Sequence, residues 1–145
     1  MDFSHKNVLV VGVGISGNAV AKVAKMQGAD KVVLSDAKAE QDLKYDLTDV
    51  RATGVELVFG PQENTLLDNV DMVILSPAVP VRIPLVQEAY KREIPVVSEV
   101  QVAYELAKSP ILAVTGTNGK TTTVTLLGEL MKTRYPDAGV GGNIG

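Results

Sequence analysis

Six short, uninterrupted apolar runs separated by stretches of helical character constrain this sequence more than any other feature. The runs are Val8–Val11, Val32–Leu34, Leu57–Phe59, Met72–Leu75, Pro95–Val97 and Ile111–Val114. They are rich in Val, Ile and Leu and do not alternate with polar residues, the pattern of strands buried on both faces of a parallel sheet. Between the first two, Ile15, Ala19, Val23 and Met26 recur at helical spacing and define one apolar stripe, and Gly28 provides a C-terminal stop. Pro84 opens a helix reaching Arg92. Ser98 is the expected N-cap of a helix over 99–108, and Gly119 to Arg134 is the longest helical stretch, ended by Pro136. The region from Ala37 to Gly54 reads as a weak helix. This alternation predicts an α/β fold, a doubly wound, mostly parallel five-strand Rossmann-like sheet.

A boundary is expected at Lys108-Ser109-Pro110. Residues 1–109 suffice for the five-strand domain. Residues 110–145 hold one more strand and one helix, which cannot bury both faces of a sheet, so they read as the opening βα unit of an incomplete P-loop domain.

Composition excludes several function classes. With 14 Lys and Arg against 17 Asp and Glu, the net charge of −3 gives no basic field for nucleic acid or a membrane surface. The absence of Cys removes disulfides, thiolate metal sites and thiol nucleophiles, and the single His5 forms no metal cluster by itself. The run Val8–Val13 is broken by Gly12 and falls short of a secretory or membrane-spanning segment, so a cytoplasmic location is expected.

Two glycine-rich segments carry the chemistry. In Gly12-Val13-Gly14-Ile15-Ser16-Gly17, a strand precedes and a helix follows. There the first glycine serves the tight turn, the second the approach of a ligand and the third close helix–strand packing. The helix N-terminus offers unpaired N–H groups to an anion. Asp36, at the end of the second strand, stands where such folds place an acid that accepts hydrogen bonds from a nucleotide. Packing glycines and an acid that closes a loop are the plainer alternative.

The second segment, Thr115-Gly116-Thr117-Asn118-Gly119-Lys120-Thr121-Thr122, joins an apolar run to a helix. Successive amides of such a loop form an anion nest, Lys120 supplies a charge for the β- and γ-phosphates of ATP, and the Thr121 hydroxyl is a candidate Mg2+ ligand. The usual first glycine of a phosphate loop is replaced here by Val114, leaving the shorter Gly-x-x-Gly-Lys-Thr. Two nucleotide sites on successive domains suit an ATP-driven step on a substrate that itself carries a nucleotide.

With Val11–Gly17, Ser76-Pro77-Ala78-Val79-Pro80, Ser98-Glu99, Gly116–Thr121 and Gly141-Gly142-Asn143-Ile144-Gly145, the chain resembles the Mur ligases of bacterial cell-wall synthesis, most closely their D-glutamate-adding branch. Asn118 favours that branch over the L-alanine-adding one, which typically carries His there. The resemblance covers all 145 residues but only about the first third of such an enzyme.

The resemblance implies that the first domain binds the UDP part of UDP-N-acetylmuramoyl-L-alanine. Gly14, Ile15 and Ser16 would meet the diphosphate and uridine, and Asp36 and Lys38 would face the uracil side. Ala78 would lie at the nucleotide edge and Asn143 would contact the substrate from the second domain. Lys38 stands where the family usually has Arg, and Ala78 where it usually has Gly. Gly116, Thr117, Asn118, Gly119, Lys120, Thr121 and Thr122 would hold ATP, with Thr121 on Mg2+ and Lys120 assisting transfer. The implied reaction is amide formation with D-glutamate through an acyl phosphate, with the parts that complete the site beyond residue 145 and this chain inactive alone. A monomer is expected for the whole enzyme, while apolar surface on the opening βα unit gives this chain a route to self-association. The competing readings are a non-catalytic NAD-binding regulatory module and an oxidoreductase fragment; both leave Gly116–Thr123 unexplained.

Overall fold

A computed structural model describes residues 1–142. The chain divides into two compact units, Met1–Ala107 and Lys108–Gly145.

The first unit holds five strands, β1 (Asn7–Val11), β2 (Lys31–Asp36), β3 (Glu56–Phe59), β4 (Met72–Leu75) and β5 (Val96–Ser98). They form one sheet in the order β3-β2-β1-β4-β5, and every pair is parallel. Its helices are α1 (Ile15–Met26), α2 (Thr48–Ala52), α3 (Pro84–Lys91) and α4 (Glu99–Leu106). Successive strand residues face opposite sides, which accounts for two separate cores. Val8, Val10, Val32, Leu34, Met72 and Ile74 pack with Val20, Ala21 and Ala24 of α1, Val50 of α2 and Val102 of α4. Leu9, Val11, Val33, Val73 and Leu75 pack with Leu85, Val86 and Ala89 of α3 and with Leu67. The expected doubly wound sheet is therefore present, with helices on both faces.

Several local features differ from expectation. The buried face of α1 is Gly17, Val20, Ala21 and Ala24, while Ile15 and Met26 are about four-fifths exposed, at 81% and 79%. The stripe is rotated because Gly17 must face the β1 loop, and its small neighbours then follow it onto the sheet. The weak helix expected over 37–54 resolves into a 3-10 turn at Glu40–Asp42 and the five-residue α2. Helix α4 ends at Leu106, two residues short of expectation; at its start the Ser98 hydroxyl accepts from the Gln101 amide at 3.2 Å, as an N-cap does.

In the second unit, α5 (Lys120–Arg134) forms as expected. Ile111–Val114 does not form a strand, and Ile111 and Leu112 are more than half exposed, against the expectation of a buried one. A strand's amides and carbonyls need a neighbouring strand, and among the described residues the only sheet is the five-strand one of the first unit. No helix among the described residues is long and apolar enough to cross a membrane.

Candidate functional site

In the first unit, the chain runs outward from β1 through β2 to β3, then crosses to β4 on the other side of β1. Helix α1 leaves toward one face and α3 toward the other, so a crevice opens at the carboxyl ends of β1 and β4. Open α/β sheets take ligands at such a switch point. The glycine-rich segment and Ser76–Val79 meet there.

Gly12 and Gly17 are demanded by the fold. Gly12 has φ +100°, and a Cβ on it would lie 2.5 Å from Val79 Cγ2 and 2.9 Å from Ser76 Cβ. A Cβ on Gly17 would lie 2.0 Å from the Gly12 carbonyl oxygen. Gly14 is different. Its φ of −178° is open to any residue, and a Cβ there would meet only Tyr45, at 3.8 Å from the phenol oxygen. Neither protein packing nor backbone conformation requires a glycine at this position.

Backbone hydrogen bonds join the loops. The Gly12 amide donates to the Ser35 carbonyl at 2.8 Å, and the Ser76 amide donates to that of Val11 at 3.0 Å. Asp36 accepts from the Val13 amide on one carboxylate oxygen at 2.8 Å and from the Lys38 amide on the other at 2.9 Å. The acid read as a nucleotide partner thus clamps the glycine-rich turn onto the end of β2; each oxygen keeps one lone pair for a ligand. Helix α1 begins with no acidic residue in its first turn and no side-chain cap, so its first amides retain their capacity for an anion. Ser16 is half-buried in this first turn, and Ile15 extends outward.

Lys38 and Ala78 are both exposed, on the loops after β2 and β4. Ala78 is not among the residues with positive φ, so alanine fits the backbone there without strain. Beside it, a cleft of about 250 Å³ lies at the ends of β4 and β5, lined among others by Ser76, Val79, Tyr90, Ser98 and Glu99. Tyr45, which stands beside Gly14, is not singled out by the sequence. It comes from an irregular segment 31 positions after Gly14, and no spacing rule connects the two.

The second unit is described by itself. Gly119 takes the left-handed conformation, φ +75°, at the N-cap of α5, which turns the loop into the helix. The Lys120 ammonium donates to the carbonyls of Gly116 and Thr117, folding over the loop it belongs to. Asn118, Thr121 and Thr122 are exposed, and the first turn of α5 has no acidic residue. The Thr121 hydroxyl is thus available to a metal, while the described residues include no cluster of three or more acidic, His or Cys side chains that could hold one. Asn143 lies outside the described residues.

A family model described as "Mur ligase MurD-like, N-terminal domain" matches residues 6–98. A protein of Pelotomaculum thermopropionicum, named UDP-N-acetylmuramoylalanine--D-glutamate ligase, is 46% identical over 99% of this chain and 31% of its own length. One of the same name from Caldicellulosiruptor bescii is also 46% identical, over all of this chain and 32% of its own length. Among solved structures, the UDP-N-acetylmuramate-alanine ligase MurC of Thermotoga maritima aligns with 28% identity and a TM-score of 0.55, over 90% of this chain and 30% of that one. The chain therefore spans about a third of the length of the curated relatives it matches. On a matching model covering residues 6–98 and on this fold, the chain belongs to the MurD-like Mur ligases.

Proposed function

We propose that the chain is the N-terminal part of an ATP-dependent, cytoplasmic ligase that joins D-glutamate to UDP-N-acetylmuramoyl-L-alanine in peptidoglycan synthesis. The observation that carries this is Gly14, a glycine that packing does not require, set at a helix N-terminus on the sheet's switch point. The names of relatives 46% identical support a uridine nucleotide as its ligand.

In this reading the amides of Gly14, Ile15 and Ser16 receive the diphosphate. Asp36 holds the turn in shape, Lys38 adds positive charge and Ala78 borders the nucleotide. Gly116 to Thr122 cradle the phosphates of ATP. Lys120 exchanges its loop carbonyls for phosphate oxygens, offsetting charge on the transferred group. The substrate carboxylate takes the γ-phosphoryl group as ADP leaves. The D-glutamate amine then attacks the acyl carbon and inorganic phosphate departs. Thr121 is the residue here that would hold Mg2+, which would supply positive charge to offset that of the phosphates; the acidic partners that normally accompany it are assigned to the rest of the protein.

Phosphate release tests the division of labour. The full-length protein is expected to release phosphate only when UDP-N-acetylmuramoyl-L-alanine, D-glutamate and ATP–Mg2+ are all present. The 145-residue chain is expected to release none above background. Release by the full-length protein without D-glutamate would contradict the assigned reaction, and substrate-dependent release by the chain alone would contradict the division.

A further inference from the structure

Tyr45 lies between β2 and α2, in a segment for which the proposed reaction as stated so far has no use. Its phenol oxygen is 3.8 Å and its ring Cζ 4.0 Å from where a Cβ on Gly14 would stand, and among the described residues nothing else comes within 4 Å of that point. The hydroxyl makes no hydrogen bond among the described residues, and the residue is 44% exposed. At this exposure the hydroxyl is left to solvent or to a ligand. The phenol stands beside Gly14, a glycine that neither packing nor backbone conformation requires.

The segment is also held in place. Asp46 accepts from the Thr48 amide at 2.9 Å, a bond that lowers the carboxyl's pKa from its ordinary value. Arg51 of α2 pairs with Glu40, bracing the preceding turn. Tyr45 is thus placed by its neighbours and not by a bond of its own.

We propose that Tyr45 is a further ligand-binding residue of this site, its hydroxyl donating a hydrogen bond to the diphosphate of a nucleoside diphosphate seated against the first turn of α1. An O–H donated to a phosphate oxygen is charge-assisted and short. It would add a side-chain donor to amides that recognise only charge. The inference rests on the reading that a uridine diphosphate ligand occupies this helix terminus.

Calorimetric titration of the 145-residue chain with UDP, as wild type, Tyr45→Phe and Tyr45→Ala, tests it. Both variants are expected to bind UDP about tenfold more weakly than wild type, the loss for one hydrogen bond to a charged group. Ligand-free Tyr45→Phe is expected to melt with wild type, since the hydroxyl has no protein partner. Wild-type affinity in Tyr45→Phe with a loss only in Tyr45→Ala would assign the ring and overturn the proposal while leaving the nucleotide reading intact. A lowered melting temperature of ligand-free Tyr45→Phe would make the hydroxyl structural and overturn it as well. Failure of the wild type to bind UDP would overturn both.

Discussion

Gly17→Ala is expected to destabilise the first unit by about 3 kcal/mol or more, the upper end of what overpacking costs. The new Cβ would stand 2.0 Å from the Gly12 carbonyl oxygen, a backbone atom. No rotamer change relieves such a contact; either α1 moves off the sheet or the β1 loop reshapes. Moving α1 withdraws Val20, Ala21 and Ala24 from Val10, Val32 and Leu34. Alanine's better helix propensity returns about 1 kcal/mol at most, so the clash wins. In thermal unfolding this corresponds to a midpoint lowered by roughly 12 °C or more for a unit of this size. Gly14→Ala is the control, since its φ and surroundings accept a methyl group, and its midpoint is expected to stay within about 2 °C of wild type. Equal midpoints for the two variants would show that α1 does not rest on its strand as described.

Leu34→Ala is expected to cost about 3 kcal/mol by the opposite route, a cavity left under α1. Leu34 is fully buried in β2, between Val10 and Leu57 in the sheet, with Cδ1 3.6 Å from where a Cβ on Gly17 would stand. Because these two positions adjoin, simple volume compensation would let each substitution relieve the other. The geometry forbids it: the clash at Gly17 is with the Gly12 carbonyl, and an emptied Leu34 pocket does not move that oxygen. The double variant is therefore expected to be less stable than either single one, by urea unfolding. A double variant as stable as Leu34→Ala alone would mean that the helix has settled into the pocket.

These two residues show what the sequence makes legible. The continuous apolar runs in β1, β2 and β4 mark strands covered on both faces, because parity then places Val8 and Val10 in one core and Leu9 and Val11 in the other. The packing role of Gly17 is legible too, because its contact with Gly12 is local in sequence. The rotation of α1 was not legible, since four apolar residues at helical spacing looked like the buried stripe while small residues at 17, 21 and 24 took the sheet. Nor was Ile111–Val114, whose composition is that of a strand but which joins no sheet among the described residues. Tyr45 and the clamp by Asp36 depend on how loops fold back over one another. Only the position of Asp36 at the end of a strand was readable; the direction of its carboxylate toward the Val13 amide was not.

The central claim is that the switch-point crevice takes a uridine diphosphate ligand and not a nicotinamide dinucleotide. The most direct measurement is thermal unfolding of the 145-residue chain in the presence of UDP-N-acetylmuramoyl-L-alanine or NAD+, in parallel. A ligand at a hundred times its dissociation constant stabilises the folded state by about 2.7 kcal/mol, enough to raise the midpoint by roughly 10 °C. The account predicts that rise with the uridine nucleotide and none with NAD+. A rise with NAD+ alone would make Gly12–Gly17 a dinucleotide site and contradict the assignment.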